Sequence, residues 1–353
     1  PLLLFVIGSG DLVYRFVPNI RNADSVISRL TIAKTKFESE ISLPWYTAEY
    51  KKGNRDTAFL KAYIAERESL GIYFNHMLLQ DYAEQLTIKD INTVPVSAYL
   101  LHTGMVYGSP LYEIVYSKIN IKDSAWASFP LKERSEINRR LILNTFQEAV
   151  KRRDAVLGRK AAEYQRNISS KSGYAYSQYV YNNALIQYYR AVKDTAQILN
   201  ILRYHIDRTY SKITPDSLTR YRKLYPEYIR ELKDEDQEKP PLYDPEISKL
   251  VRNRAYAGLI ARAPMELNNY AWMVYLYSKS NDFLIKALTW SKQAVALDPK
   301  PEYYDTMAHL LYRMDIYFEA EKMQLKAIEL AELNKRDSKK YKAELAKIKN
   351  RTL

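Results

Sequence analysis

Ala287, Ala294 and Leu297 return as Ala320, Ala327 and Leu330, each displaced by 33 residues. A period of that length is too long for one element and too short for a domain. It matches two helices and their turns, so the C-terminal third is expected to be built of stacked helix pairs. The residue types agree. Two antiparallel helices approach closely only where small side chains face each other, and larger ones (Trp272, Tyr275, Leu310, Leu311) then fill the space to the next pair. Pro299 closes the first pair, where a residue lacking an N–H stops a helix. In the second pair Ala308 and Tyr312 precede the turn Met314-Asp315-Ile316-Tyr317, and Ala320 opens the second helix.

Upstream, the pattern predicts helix almost everywhere from residue 35. Phe59, Tyr63, Ile64 and Arg67 share one helical face, as do Leu78, Leu79, Tyr82 and Leu86. Leu111, Ile114 and Val115 follow Pro110, which suits a first helical turn. Leu141, Phe146, Ala149 and Val150 form a stripe expected to continue through Val156-Leu157. Tyr174 to Arg190 and Ala196 to Tyr210 read as an antiparallel pair around Lys193-Asp194-Thr195. Residues 234–246, acidic and holding three prolines, read as a loop between helical hairpins. Residues 335–353 read as a basic, solvated last helix or tail. The one β signal lies at the start. Leu2 to Ile7 is a continuous apolar run, as in a strand buried on both faces. Gly8-Ser9-Gly10-Asp11 is a tight turn, Leu12 to Val17 a returning strand, and Pro18 its end. A helix is expected over 23–34.

Several chemistries are excluded. With no cysteine in 353 residues, disulfides, zinc–thiolate sites and thiol nucleophiles are impossible on this chain. Nine glycines argue against a nucleotide-loop protein, and no P-loop, G-x-S-x-G or complete dinucleotide motif occurs. His76, His102, His205 and His309 have no partner ligands at metal-binding spacing and read as packing or surface residues. Asp234, Glu235, Asp236 and Glu238 lack the order of a calcium loop and read as solvated. No cofactor is expected, and no apolar run reaches the roughly 20 residues of a membrane helix. The net charge of +13 draws on Arg139-Arg140, Lys151-Arg152-Arg153, Arg159-Lys160 and the tail. These clusters interleave with Glu136, Glu148, Asp154 and Glu163 and read as solvated helix faces rather than a nucleic-acid or anionic-lipid surface. The tyrosines over 174–189 read as interhelical packing.

The small-aromatic-small spacing, the proline stop and the period together resemble the tetratricopeptide repeat over about residues 267–333. Asp315 stands at the usual turn glycine, and Ser291 and Gln324 at the usual second-helix aromatic. Residues 1–34 resemble the last third of a thioredoxin-like domain: a proline, a strand, a hairpin turn, an edge strand and a final helix. Pro1 would hold the position of the family's substrate-facing proline. The Cys-x-x-Cys half is absent, and a chain beginning at Pro1 reads as a piece of a longer one. Leu267-Asn268-Asn269-Tyr270-Ala271-Trp272, Ala287-Leu288 with Trp290, and Tyr304-Asp305-Thr306 resemble the C-terminal unit of thioredoxin-like proteins that carry a helical extension. That resemblance implies a bacterial cell-envelope or periplasmic setting and a parent that could be a thiol–disulfide oxidoreductase.

The expected fold is therefore mostly α: a thioredoxin-like remnant over 1–34, an irregular helical region over 35–233, and a tetratricopeptide-like solenoid with a basic tail over 247–353. The expected function is a non-catalytic interaction or scaffold region whose partner is a protein or peptide. The alternatives are a stand-alone tetratricopeptide-type adaptor and, behind it, a basic surface that binds nucleic acid or anionic lipid. On the last repeat, the first-helix positions that would face such a partner are Asp305, His309, Tyr312 and Arg313.

Overall fold

The computed structural model describes residues 3–6, 12–16, 23–39, 41–235 and 245–353. These residues are mostly α-helical and divide into two compact units, 1–161 and 162–353. The division falls in the helix Ala155–Ile168. No helix among the described residues is long and apolar enough to cross a membrane.

The first unit opens with an antiparallel pair, β1 (Leu3–Val6) and β2 (Leu12–Phe16), in register Leu3 to Phe16 with an irregularity after Phe5. Helix α1 (Ala23–Glu38) packs on β2, where Tyr14, Phe16 and Ala33 form a small core and Arg29 donates to the Tyr14 hydroxyl at 3.1 Å. The apolar run is not buried on both faces as its sequence predicts. Leu4 and Val6 are 57% and 54% exposed, because one helix covers one face of two strands. The expected turn Gly8–Asp11, Pro18 and Pro1 lie outside the described residues.

Nine further helices follow, with the ninth crossing into the second unit: α2 (Leu43–Lys51), α3 (Thr57–Ser69), α4 (His76–Glu84), α5 (Ile88–Ile91), α6 (Val94–Thr103), α7 (Pro110–Ser117), α8 (Ile119–Ala127), α9 (Leu131–Arg152) and α10 (Ala155–Ile168). Their starts follow local chemistry. Asp56 accepts from the N–H groups of Ala58 and Phe59, Thr87 and Asp90 form a capping box, and Ser109 accepts from Tyr112 ahead of Pro110. Leu60, Ile64, Leu79, Leu100 and Ile137 are buried from water. The stripe expected to run from Leu141 into Leu157 is interrupted. Arg153 takes a left-handed φ of 55° after α9, and Asp154 caps the next helix by accepting from Val156 and Leu157.

The second unit contains α11 (Tyr174–Ala191), α12 (Thr195–Tyr210), α13 (Pro215–Glu235), α14 (Pro245–Ala261), α15 (Ala263–Tyr277), α16 (Asn281–Leu297), α17 (Pro301–Arg313), α18 (Tyr317–Leu333) and α19 (Lys339–Lys349). Successive helices pack as pairs: α11 on α12, α13 on α14, α15 on α16, and α17 on α18. The acidic stretch thus joins the two helices of one pair instead of separating hairpins; residues 236–244 lie outside the described residues. Ala271, Ala287, Ala294, Ala308, Ala320 and Ala327 are wholly buried, as close helix approach requires. Ser291 and Gln324, 33 residues apart, are also wholly buried. Each bonds outward from its helix, Ser291 to the Tyr303 carbonyl and Gln324 to Asp305 and the Tyr341 carbonyl. Helix α19 is not a loose basic tail. Ile348 joins the cluster of Met307, Leu311 and Ala320, Tyr341 joins that of Ala327 and Ala331, and lysines take the outer face.

Candidate functional site

The first helices of the last two pairs, α15 and α17, pack side by side and leave a groove of about 700 Å³. Asn268, Asn269, Trp272 and Leu276 recur along α15 at one-turn spacing and form one wall; Glu302 and Asp305 of α17 form the other. Arg190 and Lys340 supply the cations. The Asn268 Oδ1 is buried and accepts no hydrogen bond, whereas Asn269 is exposed.

The four candidate partner-facing residues do not share one surface. Asp305 lies in this groove, its carboxylate accepting from Gln324 Nε2 at 2.8 Å. His309 is only 4% exposed and is packed edge-on to the Trp272 and Tyr275 rings. Its Nδ1 lies 2.8 Å from the Asp305 carbonyl, which can only accept, so the proton sits on that nitrogen. Its Nε2 lies 3.5 Å from Glu344 of α19. His309 is therefore an internal packing residue, and the expectation that it faces a partner is corrected: α19 covers it. Tyr312 and Arg313 line a separate depression of about 330 Å³. Arg313 stacks 3.9 Å from the Tyr275 ring centroid and donates to the Tyr275 carbonyl, so its charge is already engaged. Pro1 lies outside the described residues.

The first unit holds a cavity of about 530 Å³ that no sequence motif announces. Helix α9 builds its frame. Ile137, Leu141, Asn144, Thr145, Glu148 and Ala149 form the buried face of that helix. Asn144 donates to the Gly104 carbonyl, and Thr145 accepts from the Tyr107 N–H at 2.8 Å, which pins the loop 104–109 as one wall. Gly104 takes φ +85°, and a Cβ there would sit 2.8 Å from Arg140 Cβ. Glu148, expected on a solvated face, is instead 1% exposed. Its Oε1 pairs with Arg152, and its Oε2 is buried with no hydrogen-bond partner. His76, also buried in the lining, has its pKa lowered chiefly by loss of water, with Glu148 opposing that shift. The signal available in sequence was the spacing of Leu141, Thr145 and Glu148, which puts an acid on an apolar stripe.

A buried polar cluster lies at α11, α12 and α15. The Tyr179 hydroxyl donates to Glu266 at 2.9 Å, and the Tyr270 hydroxyl to Asn183 at 2.7 Å. Burial, then Glu266, pushes the Tyr179 pKa up to about 12. His205 sits among these rings, its Nδ1 2.8 Å from Asn182 Nδ2. Tyr270 and His205 are buried, Tyr179, Asn182, Asn183 and Glu266 are half-buried, and as a group they knit three helices together. No protein-family model, no curated protein and no solved structure matches this chain.

Proposed function

We propose that this chain is a non-catalytic helical-repeat interaction region that takes an extended protein segment in the groove between α15 and α17. The observation that carries the reading is Asn268. An extended peptide presents an N–H and a carbonyl at each residue, and side-chain amides can satisfy both. Asn268 offers a buried acceptor without a donor, next to the exposed amide of Asn269 and the ring of Trp272. Leaving such an acceptor empty costs about 1–3 kcal/mol, which a bound N–H recovers. Glu302, Asp305, Arg190 and Lys340 together on the lining favour a segment of mixed charge. The tetratricopeptide-like spacing and the thioredoxin-like N-terminal pattern support a wider setting: the helical extension of a thioredoxin-like envelope protein.

Panning the full chain against a displayed random-peptide library tests the groove. Selected peptides should lose at least about tenfold in affinity with Asn268→Ala or Asp305→Lys and keep it with Lys171→Glu, an exposed site outside the groove. Peptides that bind equally to all of these variants would remove the groove from the reading. The setting has its own test, the gene sequence upstream of Pro1. A Cys-x-x-Cys there supports the redox parent, and its absence leaves an adaptor.

A further inference from the structure

We propose that the cavity framed by α9 in the first unit is a binding site for a small cationic amine carried on an apolar body. The charge at depth decides the class of ligand. Glu148 has its side chain only 2% exposed, and Arg152 satisfies one of its two oxygens. The other oxygen has no donor among the described residues. A carboxylate oxygen held out of water without a donor is the most costly acceptor a protein can leave open. An ammonium group supplies up to three N–H donors and a compensating charge. Two cations already stand on the lining, but the Arg152 side chain is 56% exposed and spent toward water, and Lys160 does not donate to the open Glu148 oxygen. His76 lies on the same lining, and its burial favours the uncharged ring, so it does not compete with the ligand's charge.

Gln80, Glu84, Asp154 and Lys160 bring further polar groups to the lining of the cavity, and apolar side chains fill the space between them. Ile91, Val106 and Leu111 form its walls. Ile114 and Val156 stand on the lining yet are 45% and 55% exposed, an arrangement that a hydrocarbon body would cover. The volume of about 530 Å³ accommodates a single-ring amine. A metal ion is a poorer occupant, because the described residues bring no third His, Asp or Glu to His76 and Glu148.

Titration of the full chain with 2-phenylethylamine, 2-phenylethanol and phenylacetate, followed by ligand-observed NMR and calorimetry, tests the assignment. The three probes share a ring and differ in the head group. The amine should bind at least about tenfold more tightly than either comparator. Glu148→Gln, which keeps the size, removes the charge and turns one acceptor into a donor, should abolish that preference. Val156→Arg, at an exposed position of the lining, should cut amine binding by a similar factor with the circular dichroism spectrum unchanged, and it decides the matter if the Glu148 variant does not fold. Equal binding of the three probes, preference for phenylacetate, amine binding that survives Val156→Arg, or no amine binding up to about 10 mM would each overturn the proposal.

Discussion

His205 ties the stability of the second unit to pH. It is 5% exposed, and burial lowers its pKa from 6.5 to about 4. Protonation is opposed by local geometry as well. Nδ1 accepts from Asn182, so a proton there would displace a donor, and Nε2 is enclosed with no hydrogen-bond partner. Above pH 6.5 the ring is neutral in both folded and unfolded chains, and its contribution is at its maximum. Between 6.5 and 4 the unfolded chain takes up a proton that the native state refuses, so stability falls as pH falls. Each pKa unit is worth about 1.4 kcal/mol, so the whole shift amounts to roughly 3 kcal/mol. About 2 kcal/mol of it is lost between pH 6.5 and 5, before most carboxylates titrate. Urea denaturation of the wild type and His205→Gln at half-unit steps over that window isolates the effect. The variant should start less stable and lose less on acidification, with a slope smaller by about 1.4 kcal/mol per pH unit. His76 and His102, whose pKa values burial also lowers, contribute equally to both proteins and cancel. Equal slopes, or an NMR titration of the His205 ring in the native protein with a midpoint near 6.5, would refute the reasoning.

Three other perturbations follow from packing and backbone geometry. Lys193 is exposed and holds a left-handed φ of 61° between α11 and α12, so Lys193→Gly should raise stability in urea by about 0.5 kcal/mol, whereas Lys193→Val should lower it by about 1–2 kcal/mol. Ala308 is wholly buried where α17 meets its neighbours, and Ala308→Leu should cost about 1–3 kcal/mol and depress the melting temperature. The Trp290 indole N–H donates to Asp207 at 2.7 Å, and Trp290→Phe should cost about 1.5–3 kcal/mol, with little change in far-ultraviolet dichroism.

The helical architecture was legible because its determinants are local. The pair expected at 174–190 and 196–210 occurs at Tyr174–Ala191 and Thr195–Tyr210, fixed by the turn residues Lys193 and Asp194. Alanines at a repeat distance announced the close contacts of α15 to α18. Other features depend on what the rest of the chain brings near. Asp305, His309, Tyr312 and Arg313 do fall along α17 at helical spacing, yet Glu344 of α19 determines that His309 is covered. In α19 itself, lysines at five of eleven positions obscure Tyr341 and Ile348, two turns apart on the inner face. A continuous apolar run cannot say which strand face a helix will cover, and Leu4 and Val6 lie on the uncovered one. The α9 cavity was illegible for the same reason: His76, Gly108, Glu148 and Lys160 meet there from separate helices and a loop.

The seating of α19 on α17 and α18 also governs how the C-terminal helices open. Segments at a chain end open first when few other contacts hold them. Tyr341 and Ile348 close the apolar sides of α17 and α18, and His309 reaches Glu344 from within. The terminal helix therefore acts as a latch. While it is shut, amide hydrogens in α17 and α18 should exchange only through opening of the whole segment. Once it lifts, that pair becomes the first stretch to admit deuterium or a protease.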